Sequence, residues 1–333
     1  MKIVVDGFGG DNAPEAIVEG VVKAIEKYDD ISVVLTGDEN TLKTLVNGRD
    51  KGKIEYLHTT EIITNDDVPT EAIRAKKDSS LVKALELLKQ DEECVGLVSA
   101  GSTGAVLTGA TVKVGRIRGI TRPALCPMLP TVKGGKVLLI DCGANVDSKA
   151  PMLLQFAIMG SSYAKAVLGL ENPRVALLSN GTEDKKGNEL THEAFALLKE
   201  CDCINFVGNM EAREILSGDY DVVVSDGFAG NVALKSCEGT GIGVMKLLKK
   251  GIMNGGLRAK IGYLFLKPVL KGLKNTLDYS EMGGAAFLGC IKPVIKSHGS
   301  SEAKSICASI GQVREMHLGN IVEHIKAGLP KSE

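Results

Sequence analysis

Tryptophan is absent from this chain of 333 residues, and aromatic residues make up only 4% of it. So few rings leave little to stack on bases or sugars, which argues against a nucleic-acid or glycan surface. An excess of either charge is missing too. The 40 Lys and Arg residues meet 41 Asp and Glu, for a formal net charge of -1. A chain this balanced is no general nucleic-acid binder, and any electrostatic partner must be read by a local patch. No uninterrupted apolar run approaches the roughly 18 residues needed to span a bilayer. The start, MKIVVDGFGG, enters a strand pattern at once, with no basic segment leading into an apolar one. The expectation is a cytoplasmic protein. The eight cysteines (Cys94, Cys126, Cys142, Cys201, Cys203, Cys237, Cys290 and Cys307) contain no C-x-x-C pair. Reduced thiols are expected rather than disulfides, and neither a metal site nor a cofactor is expected. Glycine is abundant at 39 residues but has no G-X-Y period, so collagen is excluded.

With 44% hydrophobic and 24% charged residues, the chain can bury a sizeable core. Short Val- and Ile-rich runs predict strands at Ile3–Asp6, Ile31–Leu35, Ile54–Leu57, Val95–Ser99, Val137–Asp141, Val175–Ser179, Ile204–Val207 and Asp221–Ser225. Most are apolar on both faces, as in strands buried within a parallel sheet. Helical spacing intervenes over about Glu15–Lys27, after Glu71 through Leu88, and over Met152–Leu168, Glu189–Lys199 and Val232–Lys250. This alternation predicts an open, mostly parallel α/β sheet flanked by helices. No repeat, linker or composition shift divides the chain, so residues 1–333 are expected to form one α/β domain with a helical arm.

Four predicted strands run into glycine-bearing turns: Gly7 to Pro14, Ser99 to Ala105, Asp141 to Asp147, and Ser225 to Asn231. Glycine allows close approach and positive φ, and the following helix aims N–H groups and its dipole at the same spot. Ligands of open α/β sheets sit at the carboxyl ends of the strands. Together the turns suggest an anion site, most simply phosphate; singly, each reads equally as a tight turn and cap. None spells a dinucleotide fingerprint or a P-loop, and Gly239-Thr240-Gly241-Ile242-Gly243 lies inside a predicted helix.

The loop Leu178 to Asn188 carries Lys185 and Lys186 before a glycine and a helix. It reads either as a lysine for an oxyanion or as a solvated loop. No nucleophile elbow accompanies any of the five histidines, which disfavours a Ser–His–Asp hydrolase. His298 alone sits in a Gly/Ser context and reads as structural. Between Glu238 and Asp278 there is no acidic residue, while Lys246, Lys249, Lys250, Arg258, Lys260, Lys267, Lys271 and Lys274 alternate with Leu264, Phe265 and other apolar residues. Residues 246–278 are therefore expected to form a basic amphipathic helical arm, split into two helices at Pro268. Such an arm suits an anionic membrane or an acidic partner, and it equally suits a dimer interface.

These motifs, in order, resemble the bacterial PlsX family of acyl-acyl carrier protein:phosphate acyltransferases. The resemblance runs through Gly9-Gly10-Asp11-Asn12-Ala13-Pro14, Ser99-Ala100-Gly101 with Thr103-Gly104-Ala105, Thr121-Arg122-Pro123-Ala124 and Gly143-Ala144-Asn145-Val146-Asp147. It continues through Lys186-Gly187, Asp226-Gly227-Phe228-Ala229-Gly230-Asn231, Asp278-Tyr279, Gly283-Gly284-Ala285 and His298-Gly299-Ser300. Phe8, Ser102 and Thr182 depart from the family's usual Met, Asn and acidic residue, conservatively in size or polarity. The resemblance implies a Rossmann-like fold similar to isocitrate/isopropylmalate dehydrogenases and phosphotransacetylases, usually in a homodimer. It implies transfer of a long-chain acyl group from acyl carrier protein to inorganic phosphate, for use by a membrane acyl-phosphate:glycerol-3-phosphate acyltransferase. Lys186 is then expected to be the cation and Asn231 the orienting amide. Gly9, Gly10, Asp11, Asn12, Gly101, Ser102, Thr103, Gly104, Asn145, Gly227 and Gly230 would line the phosphate and substrate site. The arm would meet the carrier protein or the inner face of the cell membrane. The competing classes are a nicotinamide-dependent dehydrogenase, whose fingerprint and metal carboxylates are not evident, and a non-enzymatic scaffold.

Overall fold

The computed structural model describes residues 1–276 and 282–330. Strands β1 (Lys2–Asp6), β2 (Ser32–Gly37), β3 (Ile54–His58), β4 (Cys94–Ser99), β5 (Ala124–Cys126), β11 (Ala285–Leu288) and β12 (Val294–Lys296) form one sheet. Its order is β3-β2-β1-β4-β12-β11-β5. Strands β6 (Met128–Pro130), β7 (Lys136–Ile140), β8 (Arg174–Ser179), β9 (Asn205–Glu211) and β10 (Val222–Val224) form a second, in the order β6-β7-β10-β8-β9. Pairing is parallel except at β11 and β6. All eight strands predicted above are present; β5, β6, β11 and β12 are additional, too short to show a period.

The chain passes between the sheets in one step. Cys126 pairs with Ala286 in the first sheet, and Met128, two residues on, pairs with Leu138 in the second. Pro127 stands between them, where a residue without an N–H loses no ladder bond. Alternation along the strands feeds two apolar cores that both sheets share. Ile3, Val5, Leu138, Ile140, Val175 and Val222 face one, while Val4, Val137, Leu139, Ala176 and Val223 face the other. The helix α6 (Ala150–Ala166) is buried nearly all round, and at Gly160 it lies so near the second sheet that a Cβ would meet Val222 at 2.6 Å.

The helices are α1 (Glu15–Lys27), α2 (Glu39–Val46), α3 (Pro69–Ala75), α4 (Ser80–Gln90), α5 (Thr103–Gly109), α6, α7 (Glu189–Lys199), α8 (Gly227–Asn254), α9 (Gly256–Thr276), α10 (Ala303–Leu318) and α11 (Ile321–Gly328). Two expectations are corrected. The pattern from Glu71 to Leu88 is two helices, because Ser79 leaves the helical region and its hydroxyl caps α4 by accepting from Val82 N. Pro268 does not divide the arm: it sits inside α9, and the chain breaks between α8 and α9 at Gly255, followed by Gly256 with φ of +70°. That left-handed conformation suits glycine, whereas a proline in a helix forfeits one N–H bond that water can replace at an exposed carbonyl. Residues 277–278 of the expected arm, the Asp278-Tyr279 pair, and the side chains of Lys260, Lys271 and Lys274 lie outside the described residues. Among the described residues, no helix is long and apolar enough to cross a membrane.

Candidate active site

The glycine turns after β1, β4, β7, β8 and β10, together with the segment after β12, gather at the carboxyl ends of the two sheets. All but the turn after β1 contribute lining residues to a cleft of about 2430 Å³, so the expected contacts Gly9, Gly10, Asp11 and Asn12 lie outside its lining. Thr103, Gly104, Lys296 and His298 line it from the first sheet, and Gly143, Ser179, Gly187 and Asn231 from the second. Met245, Leu248, Ile252 and Met253 of α8 and Leu270 of α9 extend it with an apolar wall.

The turns divide into anchors and open ends. At the start of α8, Asp226 accepts from Phe228 N and Ala229 N at 2.9 Å each, Gly227 N donates to Asn145 O at 2.8 Å, and Gly230 N to Asp226 O at 3.0 Å. Every first-turn donor of α8 is thus spent. Gly227 and Gly230 serve close packing, since Cβ atoms there would meet Asn145 O at 2.5 Å and Asp141 O at 2.0 Å. This approach delivers Asn231 to the cleft beside Gly143. Asn145 is also committed: its N and Nδ2 donate to Asp141 at 2.6 and 2.9 Å, and Nδ2 donates to Pro123 O at 2.9 Å. Burial pushes the Asp141 carboxyl up, against four hydrogen bonds that pull it down.

The α5 terminus is different. Ser102 makes no side-chain cap, and the N–H groups of Thr103, Gly104 and Ala105 have no partner among the described residues. Of these, Thr103 and Gly104 line the cleft, so the uncommitted donors at this terminus make a cradle that can hold an oxyanion. Gly9, Gly10, Asp11, Asn12 and Gly101 stand behind this cradle. A Cβ on Gly9 would meet Gly101 N at 2.7 Å, Asp11 N donates to Gly299 O at 2.8 Å, and Asn12 Nδ2 to Ser300 O at 3.1 Å. These residues lock three loops together around the carboxylate of Asp6. That carboxylate is buried and accepts from Ser80 Oγ at 2.6 Å and Ser99 Oγ at 2.7 Å. Burial raises its pKa above the ordinary carboxylate value, and the hydrogen bonds oppose the rise.

Lys186 is exposed on the loop from β8 to α7. Its stem lies over Gly181, where a Cβ would meet Lys186 Cγ at 2.7 Å, and its neighbour Gly187 lines the cleft. The loop is held from below by the Asn188–Thr191 capping box. In the arm, Lys246, Lys249 and Lys267 line the cleft, while Lys250, Arg258, Leu264 and Phe265 are exposed; Leu264 and Phe265 stand 66% and 80% exposed.

Three lining groups escaped the sequence reading. Lys296 is a buried lysine at the end of a three-residue strand; its signal was a cation closing the apolar run before Ser297-His298-Gly299. Ser179 Oγ, at the end of β8, is buried with no hydrogen-bond partner among the described residues. His298, read as structural, also lines the cleft, and its Nδ1 faces Ser300 N at 3.2 Å and Ser300 Oγ at 2.8 Å. Because an N–H can only donate, Nδ1 is the acceptor in the contact with Ser300 N.

The arrangement defines an α/β protein whose two sheets open into one cleft, with uncommitted backbone donors at one end and a long apolar wall at the other. The fold matches a phosphotransacetylase from Streptococcus pyogenes with a TM-score of 0.59 at 18% identity, over 97% of this chain and 94% of that one. Residues 1–324 match the family described as fatty acid synthesis protein. The chain is 49% identical over 332 residues to the phosphate acyltransferase of Streptococcus thermophilus (strain ATCC BAA-491 / LMD-9), covering 99% of this chain and 98% of that one. It is 48% identical over 333 residues to that of Clostridioides difficile (strain 630), covering 99% and 97%. The chain belongs to the PlsX phosphate acyltransferase family.

Proposed function

We propose that the protein transfers a long-chain fatty acyl group from the thioester of acyl carrier protein to inorganic phosphate, giving an acyl-phosphate for phospholipid synthesis. The observation that carries this reading is the joining, in one cleft, of an uncapped α5 N-terminus to an apolar trough under α8 and α9. The first suits a small oxyanion and the second a fatty chain. Phosphate is largely a dianion near neutral pH, so the protein need only hold it, neutralise it and bring it to the carbonyl. Backbone donors at Thr103 to Ala105 take the phosphate. Asn231 orients the carbonyl, and Lys186 reaches over from the loop before Gly187 to meet the charge that develops on oxygen. The basic residues of the arm receive the acidic carrier protein, and its exposed Leu264 and Phe265 rest on the inner face of the membrane, near the acyltransferase that consumes the product. A second copy packs alongside as a homodimer. The test is to incubate the purified protein with palmitoyl-acyl carrier protein and phosphate and follow carrier thiol release, trapping acyl-phosphate as its hydroxamate. Thiol release that does not depend on phosphate would overturn the assignment.

A further inference from the structure

Lys296 closes β12 with only 8% of its surface exposed, yet it belongs to the cleft wall. Its Nζ donates to Ala100 O at 3.2 Å and to Ser297 O. Two of its three N–H groups are therefore engaged by main chain, and the third has no hydrogen-bond partner among the described residues. The Ala100–Gly101 peptide that it grips is held from the other side as well. Gly101 N donates to Ser99 Oγ at 3.1 Å, and Ser99 Oγ donates to Asp6 at 2.7 Å. The ammonium is thereby fixed at the foot of α5, in the same wall as Thr103 and Gly104.

Attack of phosphate on a thioester ends with loss of a thiolate, which carries away the electron pair of the broken C–S bond and needs a proton. The anion cradle does not supply one. Resting on the function proposed above, we propose that Lys296 is a catalytic residue, the general acid that protonates the departing carrier thiolate. The bond from phosphate oxygen to the acyl carbon forms and the C–S bond breaks. One proton moves from Nζ to sulfur, and the amine left behind regains a proton from water through the open cleft.

The acidity of the group fits the task. Burial lowers Lys296 from its ordinary 10.5 to about 8, against the pull of Asp6 and Asp11. An alkyl thiol lies near the same value, about 8.5, so the proton transfer is close to balanced. The charges that act on Lys296 are Asp6 and Asp11, from β1 and its turn, and the titratable or charged groups His298, Glu302 and Lys304 line the same cleft. The flanking strands β4 and β11 bring only Ser99 to that end.

The experiment compares wild type with Lys296→Arg and Lys296→Met, using palmitoyl-acyl carrier protein and a palmitoyl thioester of nitrothiophenol, over a pH series with hydroxamate trapping. Wild-type kcat/KM on the carrier thioester should fall as pH rises through about 8. Arg keeps the cation but cannot give up a proton, so both variants should lose about 10²–10⁴-fold on the carrier thioester and lose that limb. On the aromatic thioester, whose thiolate leaves unaided, the deficit should shrink to about tenfold or less. Equal loss on both substrates, or full activity in Lys296→Arg, would overturn the proposal. If the variants do not fold, wild type alone decides: the alkaline limb must appear with the carrier thioester and vanish with the aromatic one, and a limb in both defeats the idea. Wild type that makes no acyl-phosphate at all would instead refute the function proposed above.

Discussion

Gly230→Ala places a methyl group where the backbone leaves no room. Its Cβ would lie 2.0 Å from Asp141 O and 3.1 Å from Asp141 C. Ordinary van der Waals contact begins near 3.4 Å, so the first turn of α8 would have to withdraw by about 1.4 Å, the difference between 3.4 and 2.0 Å. The obstacle is backbone, held in place by the cluster around the Asp141 carboxylate, and cannot rotate away. Overpacking of this kind costs about 1–3 kcal/mol. The retreat also carries Asn231 out of register with Thr103 and Gly104 across the cleft. A misplacement of about 1 Å in a reacting constellation can lower turnover by about 10². Urea unfolding reports the first effect and phosphate-dependent thiol release the second. A control is Gly251→Ala, further along the same helix, where an added Cβ meets nothing within 4 Å. It removes a flexible residue from a helix and should stabilise by about 0.5–1 kcal/mol with activity intact. A Gly230→Ala protein with the wild-type midpoint and turnover would show that close packing of α8 on the Asp141 loop does not position the site.

Lys186→Ala should lower turnover by about 10², the scale of losing one oxyanion donor, and wild-type-like turnover in the thiol-release assay would remove its assignment. Asp226→Ala removes the acceptor for Phe228 N and Ala229 N, and should cost about 1 kcal/mol of stability by urea titration. Leu264→Glu or Phe265→Glu should reduce co-sedimentation with anionic vesicles while leaving the soluble reaction intact; unchanged sedimentation would make that face a protein contact. Added NAD should not shift the melting temperature, and a shift of several degrees would revive the dehydrogenase reading.

The long strands were legible because each is apolar on both faces, as at Ile3, Val4 and Val5, and a two-sided core leaves that mark. Strands β5, β6, β11 and β12 were not, since three or four residues fix no period. The glycine turns were correctly placed at strand ends, but their individual roles could not be read from type. Gly104 faces the cleft, whereas Gly227 and Gly230 sit where helix meets loop, and only the tertiary neighbours Asn145 and Asp141 distinguish them. Lys296 stayed hidden for a similar reason: its interest comes from burial beside Asp6 and Ala100, residues nearly 200 or more positions away in the chain. Pro268 misled because a helix break was assigned to the residue that forbids a bond rather than to Gly256, whose conformation reverses the chain.

The crossing at Cys126-Pro127-Met128 has a bearing on how such an enzyme can diversify. Leu125 N donates to Asp141 at 2.9 Å, Cys142 N to Leu125 O at 3.2 Å and Leu139 N to Pro127 O at 3.2 Å. The sheet ends on either side of the cleft are therefore tied together at this crossing by hydrogen bonds to main chain as well as by covalent continuity. The apolar wall stands elsewhere, on side chains such as Ile252, Met253 and Leu270 that project from α8 and α9. Substitutions there should therefore change which acyl chains are accepted while the dependence on phosphate is kept, a split that the thiol-release assay reads with thioesters of different length.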